Sequence, residues 1–296
     1  MLNYLSTIDY YWAIKHLSIA VGVLSSLAFG GIYYFQSSLI YLPNLPQNSR
    51  KKIDEPSKYN LPFEDVVLRT KDGVRIGAYL IKREDEKEFE RAPTLIYFHA
   101  NAGNFGMRLP IAEVIYRVCK CNILMLSYRG YAFSEGVPDE KGLKLDAEAA
   151  LDYILSHDKL KNNKIVLYGQ SIGGAVAIDL ASKFEDKVHG LVLENTFLSL
   201  PKLIPCVMPT LKYLTFLCHQ IWDSEKSIRN IQSLPTLFLS GAKDSLIPPS
   251  HMKSLYDQLP SNKKQFQSFP NGDHNDTFLA PEYFKEMEAF FLKFIL

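Results

Sequence analysis

The chain has 296 residues, 47% of them hydrophobic, and a formal net charge of +1 from 33 basic and 32 acidic residues. That length fills one large core with chain to spare, and so even a charge balance offers no basic face for nucleic acid. The four cysteines, Cys119, Cys121, Cys206 and Cys218, make neither a disulfide scaffold nor a zinc site, since the C-x-C pair has no partnering His pair; they read as packing residues in a reducing compartment.

Residues 1–16 read as a tail. From Leu17 to Phe35 the sequence LSIAVGVLSSLAFGGIYYF carries no charge, and about 20 mostly apolar residues cross a membrane. Tyr10, Tyr11 and Trp12 at one edge, with Tyr33, Tyr34 and Tyr41 at the other, sit where aromatic belts belong. A core helix of a soluble domain would show a polar stripe. A cleaved signal peptide would have a shorter apolar run and small residues at its end. The segment 17–37 is therefore expected to be a single-pass signal anchor in the endoplasmic reticulum or plasma membrane. Lys15 precedes it and Arg50, Lys51, Lys52 and Lys58 follow, so the positive-inside rule leans towards a cytosolic C-terminal domain. A glycan on the sequon Asn275-Asp276-Thr277 would sit beside His274, a candidate catalytic residue, which implies either no encounter with the glycosylation machinery or a skipped site.

Pro43, Pro46, Pro56 and Pro62 punctuate a segment, 38–62, that reads as a polar linker. FEDVVLRT and VRIGAYLIK then flank KDG, a hairpin signal. TLIYF is an apolar strand running into the turn HANAGN, and GMRLPIAEVIYRVC has helical spacing. NILML is the next strand, and DEKGLKLDAEAALDYILSH is a helix that Asp139 is placed to cap. The strand KIVLYG, the helix GGAVAIDLASKF and the strands GLVLEN and PTLFLSG follow. The helix PSHMKSLYDQL, the strand KQFQSFP and the helix APEYFKEMEAFFLKFIL complete the chain. Apolar strands alternating with helices predict a mainly parallel, eight-stranded sheet covered on both faces, with antiparallel pairing at the hairpin edge: an α/β fold over residues 63–296. Residues 197–232 interrupt the alternation with an apolar, proline-rich stretch and are expected to form a cap over the site.

Within that order, GQSIGG fits G-x-S-x-G between a predicted strand and a predicted helix, the context that gives the motif meaning. Ser171 would stand on a tight turn. Gly169 and Gly173 would remove side chains that collide with strand and helix, and Gly174 would let the helix approach its neighbours. The Ile172 N–H, at the helix N-terminus, could donate to a developing oxyanion. A serine hydroxyl needs a base. His16, His99, His157, His189, His219 and His251 fall at the membrane edge, in a turn, at helix ends, before a strand, in the cap or within a helix. His274 alone lies in a loop after the last strand, where α/β catalytic groups gather. Asp244, in the turn after PTLFLSG, gives the chain order Ser171, Asp244, His274. Glu194, Asp223, Asp273 and Asp276 are its rivals. A second oxyanion donor should come from HANAGN, from the N–H of Ala100 or of Asn101. No metal or cofactor is needed for such chemistry.

These motifs together, FHANAGN, LSYRGYAFSEGVPDEKGLKLDAEAAL, LYGQSIGGAVAI, LENTF, SGAKDSLIPP and GDHNDTF, resemble those of the α/β-hydrolase superfamily. They are most similar to the membrane-anchored α/β-hydrolase-domain proteins of the fungal and plant bud-emergence group and their animal relatives, from about Val66 to Leu296. The resemblance implies a serine hydrolase acting on acyl lipid esters or S-acylated protein through Ser171, Asp244 and His274. The chain departs from the family pattern at His99-Ala100, where His-Gly is usual, and at Ala132, where glycine is usual. A membrane scaffold of hydrolase fold, or a serine peptidase, are the competing expectations.

Overall fold

The computed structural model describes residues 2–296, with side chains from Tyr10 onward. It opens on one long helix, α1 (Leu2–Ile40). The apolar stretch Tyr10–Ile40 is long enough to cross a membrane, and the helix continues beyond both ends of the expected 17–37 span. The hairpin β1 (Phe63–Arg69) and β2 (Arg75–Ile81) follows, then a short helix α2 (Glu86–Arg91). The alternation continues through β3 (Thr94–Phe98), α3 (Leu109–Val118), β4 (Asn122–Leu126), α4 (Glu140–Ser156), β5 (Ile165–Gln170), α5 (Ile172–Lys183) and β6 (Gly190–Glu194). After α6 (Leu200–Val207), a 3-10 segment (Pro209–Leu217) and α7 (Ser224–Ile228) come β7 (Thr236–Gly241), α8 (Pro249–Gln258), β8 (Lys264–Phe269) and α9 (Tyr283–Phe294).

The eight strands form one sheet in the order β1-β2-β4-β3-β5-β6-β7-β8, antiparallel at β1/β2 and β2/β4 and parallel from there on. Period-two alternation divides the core. In β3, Ile96 and Phe98 pack with Leu143 and Ile154 of α4 and Val176 of α5. Leu95 and Tyr97 turn to the other face, with Ile115 of α3 and Phe290 of α9. Both faces being covered explains why the inner strands, β3 to β7, are buried throughout and read as mainly apolar runs, while the edge strands β1 and β8 are more polar and more exposed. Asp139 caps α4, its carboxylate accepting from the Gly142 N–H at 2.7 Å.

Four expectations change. Residues 38–62 are not a free linker: Asn104 donates to the carbonyls of Ser49 and Lys52, and Ser49 is buried. Tyr41 is no belt residue; it is buried, donating to Gln220 Oε1 and accepting from Trp222 Nε1, each at 2.9 Å. The insertion is shorter than 197–232, because Phe197, Trp222, Ile228 and Ile231 are core residues and α7 belongs to the helical layer. Cys206 is exposed and Cys218 half-exposed, so only Cys119 and Cys121 are core packing.

Candidate active site

Ser171 occupies the tight turn between β5 and α5 with φ 57° and ψ −120°. A non-glycine residue at positive φ costs of order 1–3 kcal/mol and persists only where its surroundings enforce it. Three hydrogen bonds do so. Its N–H donates to the Glu194 carbonyl at 2.9 Å, and its carbonyl accepts from the Gly174 N–H at 3.0 Å and the Thr196 hydroxyl at 2.7 Å. The flanking glycines answer to space. A Cβ on Gly169 would lie 2.2 Å from the Gly173 carbonyl oxygen, and one on Gly173 only 2.1 Å from that of Phe98. Gly174 faces the Thr196 side chain at similar range.

The turn points Ser171 at His274, which follows β8. His274 Nε2 lies 3.1 Å from Ser171 Oγ, and its Nδ1 lies 2.8 Å from Asp244 Oδ2. All three side chains are buried. Asp244 follows β7, and its other oxygen accepts from the N–H groups of Leu246 and Ile247 at 2.9 and 2.7 Å. It does not cap α8, whose N-cap is Pro248. This geometry can pass a proton from a hydroxyl to an imidazole whose tautomer a carboxylate holds.

The rival acids are engaged elsewhere. Glu194 is buried between Tyr168, Tyr283 and Gln170, with the Tyr283 hydroxyl at 2.6 Å. Burial raises its carboxyl above the usual range, and the two tyrosine hydroxyls pull it back. Asp223 caps α7. Asp273 accepts from the N–H groups of Ser245 and His274, and Asp276 accepts from the Asp273 N–H. The other histidines have structural duties. His251 Nδ1 accepts from the Leu198 N–H and His189 Nδ1 from the Ile165 N–H. His157 is the C-cap of α4, and His16 bonds the Trp12 carbonyl.

His99 forms the turn after β3. Its Nδ1 donates to the Ala100 carbonyl at 2.7 Å, and desolvation pushes its pKa down to about 3. Among the described residues, the N–H groups of Ala100, Asn101 and Ile172 donate to no protein acceptor, the state that oxyanion donors require. The Asn101 side chain faces away from Ser171. It donates to the Ile40 carbonyl at the end of α1 and accepts from the Leu42 N–H and the Tyr131 hydroxyl. The Gly103 N–H adds a bond to the Leu45 carbonyl at 2.6 Å. The loop after β3 is thereby tied to the chain leaving α1. Ala132, in the neighbouring turn, takes φ 44°, which a glycine would adopt without strain.

One functional position escapes sequence reasoning. Asn195, at φ 44°, donates to the His274 carbonyl at 3.3 Å and to Thr277 Oγ1 at 2.9 Å, and accepts from the Gly241 N–H at 2.8 Å. It binds the turn after β6 to the last residue of β7 and to the loop after β8. Its only sequence signal is an asparagine directly after an apolar strand, where a left-handed residue can end it. Among the described residues, no three His, Cys, Asp or Glu side chains cluster as metal ligands.

Comparison with known proteins bears on this arrangement. Residues 93–216 match the family model described as alpha/beta hydrolase fold, and residues 202–278 match that of serine aminopeptidase, S33. The chain is 44% identical over 278 residues to protein bem46 of Schizosaccharomyces pombe, covering 94% of this chain and 92% of that protein. It is 40% identical to an uncharacterized membrane protein, YNL320W, of Saccharomyces cerevisiae (91% and 93% covered). It is also 40% identical to the alpha/beta hydrolase domain-containing protein WAV2 of Arabidopsis thaliana (83% and 83%). Among solved structures, the Pyrococcus furiosus esterase Pf2001 superposes with a TM-score of 0.68 at 18% identity, over 83% of this chain and 99% of that one, a likeness of fold.

Proposed function

This chain belongs to the α/β-hydrolase-domain family that includes bem46 and WAV2, and on that premise we propose that it is a membrane-anchored serine hydrolase of carboxylic esters or thioesters. The observation that carries the reading is the continuous relay from Ser171 Oγ through His274 to Asp244. Ser171 Oγ attacks the substrate carbonyl as its proton passes to His274 Nε2. The tetrahedral oxyanion is held by the Ile172 N–H, at the start of α5, and by an N–H of the Ala100–Asn101 turn. The carbon–leaving-group bond breaks, His274 returns the proton to the leaving group, and an acyl-Ser171 remains. Water, deprotonated by His274, then releases the acid and restores the serine.

An acyl substrate, a lipid ester or an S-acylated protein, is supported by the apolar α1 and by the apolar insertion lying beside it. Membrane anchoring through α1 is supported by its length and by the relative named as a membrane protein. A cytosolic catalytic domain is supported by the basic residues after α1. The serine aminopeptidase match over residues 202–278 favours a second reading, hydrolysis of amides.

The test is turnover by the full chain in vesicles, with esters, thioesters and N-terminal amides of graded acyl length. Wild type should hydrolyse esters or thioesters, and its Ser171→Ala twin should not. Turnover of amides alone would favour the peptidase reading, and no turnover of any substrate would overturn both.

A further inference from the structure

The insertion after β6 presents large apolar side chains to its surroundings. Tyr213 and Phe216 of the 3-10 segment are 77% and 75% exposed, and Val207 and Met208 just before it are also exposed. Between residues 207 and 217 the only charge is Lys212, whose ammonium lies 4.7 Å from the centre of the Tyr213 ring. The opposite side of the segment is already packed. Ile204, Leu211 and Leu214 line one wall of a narrow apolar cleft of about 90 Å³, and Ile32, Leu39 and Ile40 of α1 line the other.

The depth of this patch relative to α1 is fixed by hydrogen bonds. Gln36 Nε2 donates to the Leu217 carbonyl at 3.2 Å, and Gln36 Oε1 accepts from the N–H groups of His219 and Gln220 at 2.8 and 3.1 Å. His219 Nε2 bonds the Tyr33 carbonyl at 3.1 Å. Past Phe35 the helix α1 turns polar, with Gln36, Ser37 and Ser38 in succession. A helix rising 1.5 Å per residue crosses a hydrocarbon core of about 30 Å in about 20 residues. The run from Leu17 therefore reaches the interface at about Tyr33–Gln36, the level to which the insertion is pinned. Exposed Tyr and Phe beside one lysine, with no acid, is the composition of a segment lying in a headgroup layer. In water, a patch of this kind marks an interaction surface.

We propose that residues 207–217 are a second membrane contact, seated in the headgroup layer of the bilayer that α1 crosses. This rests on the reading of α1 as a membrane span and is independent of the catalytic assignment. Because the domain is pinned to α1 by these hydrogen bonds, an interfacial contact beside the spanning one would fix the tilt of both and so the orientation of the catalytic domain on the lipid surface.

The test uses the full chain in phosphatidylcholine vesicles, with Cys206→Ser and Cys218→Ser removing the accessible thiols. An environment-sensitive fluorophore is attached at Phe216→Cys or Tyr213→Cys, both surface positions. Val67→Cys, on the exposed side of β1, is the water reference, and Val23→Cys, within α1, is the membrane reference. Lipids brominated near the headgroup or along the chain serve as quenchers. Headgroup-proximal quenching at 213 and 216 should exceed that at Val67 by about threefold or more, with chain quenching at Val23. Quenching at Val23 with 213 and 216 indistinguishable from Val67 would overturn the interfacial contact alone. No quenching at Val23 would overturn the spanning helix and the proposal with it.

Discussion

Replacing Gly173 by alanine would set a Cβ 2.1 Å from the Phe98 carbonyl oxygen and 2.9 Å from that of His99, where real Cβ atoms keep at least 3.0 Å. Both obstacles are backbone, so no side chain can swing aside, and the start of α5 and the end of β3 must part by about 0.9 Å, the difference between 3.0 and 2.1 Å. These two ends carry the Ile172 N–H and the Ala100–Asn101 turn, the proposed oxyanion donors. Overpacking of this kind costs about 1–3 kcal/mol, which lowers the melting temperature by roughly 2–4 °C per kcal/mol in a domain of this size. A misplacement near 1 Å in a reacting geometry costs about a hundredfold in turnover. The assay is ester turnover beside a melting curve, with Gly30→Ala, where an added Cβ meets nothing within 4 Å, as the control. A Gly173→Ala protein that stays folded and turns over within a few-fold of wild type would refute the reasoning, because it would show that the separation of these two backbones does not matter to the chemistry.

Asp244→Asn should lower turnover by about 10⁴, because an amide leaves His274 without the acceptor that sets its tautomer. Glu194→Gln, although buried, should keep turnover within about tenfold while losing stability, since its partners are tyrosines and a glutamine. A domain begun at Pro43 loses the Ile40 carbonyl, the Leu42 N–H and the Tyr41 ring that the Asn101, Gln220 and Trp222 side chains engage. Urea denaturation should find it about 2 kcal/mol or more less stable than a domain begun before Tyr33. His99, buried and held neutral with its pKa pushed down to about 3, takes a proton in the unfolded chain at about 6.5. Its contribution is complete above that pH and is lost as pH falls from about 6.5 towards 3, by up to about 1.4 kcal/mol per pH unit. His99→Phe should flatten the stability profile below pH 6 by that slope, whatever the other titrating groups contribute.

The parts of this molecule that read directly from sequence are those whose constraint is local. Gly169 must clear the Gly173 carbonyl four residues on, whereas the obstacles to Gly173 and Gly174, Phe98 and Thr196, are distant and those two glycines are legible only through the motif; the alternation of strand and helix follows from burial on both faces. Asp244 and His274 are legible as candidates because each lies in the loop after a strand, apolar β7 for the one and alternating β8 for the other, where the topology brings loops to one sheet edge. What stayed hidden depends on distant partners. Nothing near Asn195 announces that it bonds residues from Gly241 to Thr277. Tyr41 looks like a belt aromatic until the fold brings Gln220 and Trp222 to its hydroxyl. The segment 38–62 looks like a linker because its prolines are visible, while the Asn101 and Asn104 side chains that hold it lie some sixty residues on. The exposure of Cys206 likewise follows from the shape of the insertion and not from its apolar composition.

The central claim, that Ser171 is a nucleophile activated by His274, is tested most directly by reaction of the full chain in vesicles with a fluorophosphonate probe. Wild type should be labelled at Ser171, Asp244→Asn should be labelled far more slowly, and Ser171→Ala should not be labelled. Folded wild-type protein that resists the probe, or a Ser171→Ala protein labelled as readily as wild type, would contradict it.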